Sequence, residues 1–423
     1  MEYRPRVIDG ELDALFPHVA AIALDGARGT GKTTTAKQRV AEVLALDSPA
    51  VRESVEVDPA RILQLPRPLL LDEWQKVPAV WDVVRRSVDA SNEGGQFLLT
   101  GSATPKEGAT AHSGAGRIGR LRMRPMTLLE RGVGEPTVSL SRLLAGDRLA
   151  LNGESSLGLS DYVNEIVASG FPAFRKLDGR TLRFQLDSYL HNVVDRDVPE
   201  WGLRVRKPEA LLSWLRAYAA ATSTTASYSQ ILDAATPGQH DKPARPTSIA
   251  YRDVLTDLWL LEPLPAWIPS RNFLARLGQT PKHHLADPAL AARLLGLSAD
   301  ALIAGDGDVV GPQPGNMVGH LFESLATLCV RVFAQAAEAR VSQMRTRGGE
   351  HEIDLIVVRD DRRVLAIEVK LSSTVHDRDT KQLHWLHKQI GDNLLDAIII
   401  NTGPAAYRRA DGIGVVPLGL LAP

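Results

Sequence analysis

Short apolar runs alternate with helical stripes along the first third of this chain. Ala21-Ile22-Ala23-Leu24, Pro68-Leu69-Leu70-Leu71 and Gln96-Phe97-Leu98-Leu99-Thr100 are unbroken enough to be strands buried on both faces of a parallel sheet. Between them, Ala36, Val40, Val43 and Leu44 recur at helical spacing and predict a helix over 34–46. Residues 51–57 alternate weakly and predict a strand, Asp58-Pro59 reads as a helix start, and Val77, Val80, Trp81, Val84 and Val88 give another helix.

Further on, 228–234 and the stripe Tyr251, Val254, Leu255, Leu258, opened by Thr247-Ser248, predict two helices. The apolar segments 260–264 and 281–287 then predict a hairpin. In the last third, Val318, Leu321, Phe322, Leu325, Leu328, Cys329 and Val332 form a strongly periodic helix, followed by paired strands at 352–358 and 363–370. Breaker-rich stretches at 152–159 and 305–315 divide the chain into domains at 1–148, 149–302 and 303–423.

Composition adds little to that picture. Of 423 residues, 44% are hydrophobic and 23% charged, and the formal net charge is −1, so any nucleic-acid contact must come from a local patch. One cysteine, Cys329, forbids an internal disulfide and reads as core packing. Neither an apolar segment behind the N-terminal arginines nor a run approaching ~18 apolar residues is present, which predicts a cytoplasmic, unanchored protein.

The chemistry is concentrated in two places. Gly26-Ala27-Arg28-Gly29-Thr30-Gly31-Lys32-Thr33 is a complete G-x-x-x-x-G-K-[ST] loop between a strand and a helix. Its glycines let backbone N–H groups surround phosphates, Lys32 reaches the outer oxygens and Thr33 can ligate Mg²⁺; Thr34 follows at the helix start. Asp72 and Glu73 end the next buried strand, where Asp72 would hold Mg²⁺ and Glu73 would orient the attacking water. Ser102, past the neighbouring strand, is either a sensor of the terminal phosphate or a turn serine. Arg120, Arg122 and Arg124 share one strand face, either as a salt-bridged surface or as one for phosphate, nucleic acid or a neighbouring subunit.

The second place is C-terminal. Glu323 edges the apolar face of its helix, Asp354 sits on one strand, and Glu368-Val369-Lys370 on the next puts Glu368 and Lys370 on one face. Helix Glu, strand Asp, then Glu-x-Lys is the layout of a restriction-endonuclease-like site. There Asp354 and Glu368 would bind Mg²⁺, Lys370 would stabilise the transition state or activate water, and Glu323 would support the metal. Gln382 is an auxiliary candidate, and Arg345, Arg347 and His351 border the site. His283 and His284 have no partner at metal-ligand spacing and read as ordinary polar residues.

Several stretches together resemble a bacterial and archaeal family of AAA-type ATPases with a C-terminal domain of unknown function. They are Tyr3-Arg4-Pro5-Arg6, the phosphate loop, Leu71-Asp72-Glu73-Trp74-Gln75-Lys76-Val77-Pro78, Thr100-Gly101-Ser102, Gly116-Arg117, and Pro125-Met126-Thr127-Leu128-Leu129-Glu130. Ala168-Ser169-Gly170-Phe171-Pro172 and the helix ending in Arg196-Asp197 are similar to later family segments. The chain departs from the family at Ala103-Thr104, where a second small polar residue is usual.

The resemblance implies an α/β P-loop NTPase domain with a parallel sheet, a mostly helical winged-helix-like region, and a C-terminal α/β restriction-endonuclease-like domain. It makes Arg117 either a contact for nucleotide or a neighbour's nucleotide or half of a structural ion pair, and Arg196 either half of a structural ion pair or an arginine acting across a subunit interface. The expected function is ATP binding and Mg²⁺-dependent hydrolysis coupled to the C-terminal module. The alternatives are an ATP-regulated DNA nuclease and a nucleotide-switched binding module with slow hydrolysis. Partners would be ATP, DNA through the C-terminal domain, another protein, or further copies of the chain.

Overall fold

Strand β1 (Ala21–Asp25) is buried along its whole length because both of its faces are covered by helices. Ala21 and Ala23 join Val80, Trp81 and Val84 of the helix Ala79–Ala90 on one face. Ile22 and Leu24 meet Ile8 and Leu12 of the helix Val7–Leu15 on the other. Around β1 the sheet runs β2 (Glu42–Ala45), β3 (Leu69–Asp72), β4 (Phe97–Gly101), β1, β5 (Ile118–Arg122), all parallel. The placement of β4 between β1 and β3 matters most. It sets the end of β4 between the phosphate loop after β1 and the acids after β3.

The computed structural model describes residues 3–102, 114–148, 150–235, 245–268, 279–304, 314–346 and 348–423. Ala103-Thr104, most of the 305–315 linker and Arg347 therefore lie outside the described residues.

Two expected elements of the first domain differ. The helix after the phosphate loop is only Lys32–Lys37, and Val43 and Leu44 belong to β2, where their spacing from Ala36 is coincidental. Residues 49–57 are a helix rather than a strand: Pro49 follows Ser48 at the first helical position, and Val51 and Val55 share one inward face.

The middle region is helical, with Tyr228–Ala234 and Arg245–Asp257 near their expected positions. The segments around 261–264 and 282–285 pair antiparallel through Leu261–Leu285 and Leu264–Lys282. The last region opens with the helix Pro314–Ala336. Its stretch Met317–Ala336 is long and apolar enough, by length and composition, to cross a membrane, contrary to the expectation that no run comes near that limit. However, 83% of its most apolar window is buried, because Leu325, Cys329 and Phe333 serve as shared core.

Behind that helix lies a mixed sheet. Strands β6 (Arg340–Arg345), β7 (Glu352–Val358) and β8 (Val364–Val369) are antiparallel, and β9 (Leu394–Asn401) and β10 (Gly414–Pro417) extend it in parallel. One apolar cluster holds Leu128, Tyr162, Leu215, Leu325 and Ile367 together, so it crosses both expected domain boundaries. The chain also returns to its first third at the end, where Leu421–Ala422 pairs in parallel with Val138–Ser139.

Candidate nucleotide site and C-terminal carboxylate cluster

The loop from Gly26 to Thr33 turns through two left-handed glycines, Gly29 at φ 84° and Gly31 at φ 102°. Gly26 is required for a different reason: a Cβ there would lie 2.2 Å from the Met123 carbonyl oxygen. Lys32 folds back over the loop and donates to the carbonyls of Gly26 at 2.8 Å and Ala27 at 2.9 Å. Burial pushes its ammonium down to about 8, against the pull of Glu73. Thr30 is tied inward, its hydroxyl donating to Ala27 and its carbonyl accepting from buried Arg6, while Thr34 is exposed.

The Thr33 hydroxyl donates to Asp72 Oδ1 at 2.7 Å, and the Thr100 hydroxyl donates to the same oxygen. A hydroxyl and a carboxylate meeting beside a phosphate loop form the donor set that suits a hard, oxygen-seeking cation. Glu73 adopts a left-handed conformation, φ 53°, and accepts from Gln75 and, at 3.4 Å, from Ser102. Ser102 is thus brought to Glu73, the second of the two acids. These groups line a cavity of about 250 Å³ whose opposite wall is helical: Tyr189, Asp197, Glu200 and Trp201.

Arg28 leaves the loop toward that wall and pairs with Asp197 at 2.7 Å, and Tyr189 donates to the Arg28 carbonyl. Asp197 therefore answers an arginine of the phosphate loop rather than its neighbour Arg196.

Arg117 forms a structural ion pair. It precedes β5, whose Ile118 is in register with Ala21, the first residue of β1; the phosphate loop follows the last, Asp25. At ~3.3 Å per residue it lies a full strand away from the phosphates, and it pairs with Asp89 instead.

The three alternating arginines are salt-bridged. Arg120 pairs with Asp25 at 2.7 Å, and Arg122 reaches Glu262 at 2.6 Å. Arg124 approaches the same carboxylate at 3.5 Å and Arg331, from the helix Pro314–Ala336, at 2.8 Å. Burial alone would raise the Glu262 carboxyl, but the three guanidiniums hold it well below the usual range. Sequence reasoning missed Glu262. Its signal was a lone acid inside the apolar run Leu260-Leu261-Glu262-Pro263-Leu264.

In the C-terminal region Glu323, Asp354, Glu368 and Lys370 do converge. Asp354 lies one step beyond the last paired residues of β7 and β8, Leu355 and Ile367, and accepts from the Val369 amide at 2.9 Å. Lys370 bonds Glu368 at 2.7 Å. What the sequence did not suggest is the cation among them. Lys282, 1% exposed, places its ammonium 2.8 Å from Glu323, 3.0 Å from Asp354 and 3.3 Å from Glu352.

That arrangement differs from the expected metal set in that a lysine stands between the acids. Among the described residues no group of three or more His, Cys, Asp or Glu could hold a metal ion. Burial alone would raise Asp354, but Lys282 and Lys370 outweigh it and lower the carboxyl. Burial, and then the charge of Asp354, push both Glu323 and Glu368 up to about 8. One ammonium supports one ionised carboxylate well, and Asp354, which also holds a backbone N–H, is that one.

The neighbouring residues are mostly structural. Gln382 bonds His351 at 2.8 Å, and the His351 ring stacks on Trp385. Arg345 approaches Glu352 at 3.8 Å. His283 and His284 are buried rather than solvated; His283 bonds the Ala226 carbonyl and His284 the Ser324 hydroxyl.

The geometry defines a P-loop protein with a Walker-type acid pair. Residues 18–131 match the family model described as AAA domain, and residues 159–301 and 318–421 match two domains of unknown function, DUF8612 and DUF4143. Uncharacterized proteins of Mycobacterium bovis and Mycobacterium tuberculosis are each 26% identical over 318 residues, 73% of this chain. The match spans 62% of the length of those relatives. The Walker-type ATPase of Pyrococcus abyssi aligns over 68% of this chain and 94% of its own, with 15% identity and a TM-score of 0.38. With a match to an AAA domain first and to a domain of unknown function last, the chain is similar to the AAA-type P-loop ATPases that its sequence resembles.

Proposed function

We propose that the chain binds ATP with Mg²⁺, hydrolyses it, and passes the nucleotide state to its helical and C-terminal regions. The observation that carries this reading is the 2.7 Å contact between Thr33 and Asp72, with Glu73 next in sequence and facing the cavity beside the loop. The loop amides and Lys32 would hold the phosphates, and Lys32 would exchange its two carbonyl partners for phosphate oxygens. Thr33 and Asp72 would hold Mg²⁺, which supplies charge neutralisation across the outer phosphates. Glu73, itself positioned by Gln75 and Ser102, would orient water in line with the terminal phosphate.

Coupling is supported by the far wall of the cavity. Asp197 and Glu200 grip Arg28 and Lys76 from the helical region, at 2.8 Å in the second pair, so a ligand beside Glu73 meets both regions at once. The convergence of Glu323, Asp354, Glu368 and Lys370 supports a nuclease-like layout at the other end of the protein. Lys282 among these acids favours a module that binds or positions its partner over one that cuts it.

ATP turnover tests the reading directly. Lys32→Ala and Glu73→Gln should each lower turnover by about 100-fold or more, with Glu73→Gln still binding ATP. Unchanged turnover in both variants would exclude it.

A further inference from the structure

We propose that Lys282 is a built-in cation that closes the C-terminal carboxylate cluster to divalent metal, so that the cluster is metal-free in the folded chain. An ammonium carries three N–H donors. Here it donates to Glu323 and Asp354, and a third carboxylate, Glu352, lies at ion-pair distance, 3.3 Å. These contacts use oxygens a divalent ion would need.

Lys282 is held too firmly for this to be a passing contact. Its backbone N–H and C=O both bond Leu264, at 3.0 and 2.8 Å. The next residue is fixed on the other side, where Ser223 donates to the His283 carbonyl and the His283 amide donates to Thr224. The partner segment also carries Glu262, which holds Arg122 and Arg124 beside the phosphate loop and bonds the His284 carbonyl through its own amide. One pair of strands thus spans from the ATPase sheet to the carboxylates and presents the lysine at its far end.

The cluster bears a second mark of a cation site. Glu368 Oε1 is buried without a hydrogen-bond partner, while its other oxygen takes Lys370. Leaving a buried acceptor open costs stability that a metal ligand would recover. Removing the lysine leaves the clustered carboxylates without that cation, so a divalent ion can take the place of its ammonium.

Mn²⁺ titration of the full chain without nucleotide, by calorimetry, tests this. The natural chain should show no Mn²⁺ binding that is lost in Asp354→Asn. Lys282→Met should gain one site, binding at least about tenfold more tightly than any site of the natural chain, and Asp354→Asn in that background should remove it. Lys282→Arg, which keeps the positive charge, should gain nothing. Asp354-dependent Mn²⁺ binding in the natural chain would overturn the proposal, and that arm needs no lysine variant to fold. A cooperatively melting Lys282→Met chain that gains no site would overturn it as well.

Discussion

Arg28, inside the phosphate-binding loop, donates to Asp197 at 2.7 Å across 169 residues of chain. The pair joins the one loop that must respond to nucleotide to the end of a helix in another region. Burial tends to lower the Arg28 guanidinium and raise the Asp197 carboxyl; the net shift is upward for both, with Asp197 holding the arginine protonated.

Because the Arg28 side chain is 61% exposed, the contact should contribute little to stability. Arg28→Ala and Asp197→Asn should each change unfolding free energy by less than about 1 kcal/mol. Their effect should appear in coupling instead. Hydrogen exchange across 193–201 should respond to a non-hydrolysable ATP analogue in the natural chain and not in either variant. An unaltered response would show that the pair transmits nothing.

Gly26→Ala should behave differently, because the obstacle is backbone. A Cβ only 2.2 Å from the Met123 carbonyl forces the loop and the end of β5 apart. Thermal unfolding should show a loss of about 1–3 kcal/mol, and ATP affinity should fall more than in a variant of the exposed Thr34.

What could be read from the sequence follows from how local each feature is. The phosphate loop and the acid-tipped strand are contiguous motifs whose chemistry demands a fixed spacing. The strands β1, β3 and β4 announce themselves because parallel strands buried on both faces need unbroken apolar runs. Residues 49–57 misled because a short alternating pattern and one turn of an amphipathic helix differ by few positions. Lys282 was illegible: nothing in Pro281-Lys282-His283-His284-Leu285 reports that three acids from other elements will surround that ammonium. Arg117 left two readings open, since a motif gives position along the chain but not which end of a strand faces the ligand.

Glu262 makes the strongest stability prediction. It is the shared counter-ion of Arg122, Arg124 and Arg331, all largely buried. Glu262→Gln keeps the shape and leaves three guanidiniums without their carboxylate. Chemical denaturation should show a loss of about 3–5 kcal/mol, the cost of stranding buried charge. A loss below ~1 kcal/mol would mean that the arginines find water or other acceptors.

The last prediction concerns the proton on Lys32. Burial brings its ammonium from an ordinary value of 10.5 down to about 8 in the folded chain without nucleotide. The unfolded chain therefore binds more protons than the folded one between about pH 8 and 10.5, and stability contributed by this group rises with pH across that window. It is lost again as pH falls through about 8, below which the full cost of a buried ammonium is present. Nucleotide should do the opposite. Phosphate oxygens favour the charged lysine, so binding near pH 8 should take up a proton, and ATP affinity should weaken as pH rises above that point. Calorimetry in two buffers of different ionisation enthalpy should report proton uptake near pH 8 that vanishes near pH 6, where Lys32 is already protonated. Lys32→Met should abolish the uptake near pH 8, which separates this proton from those of the nucleotide itself.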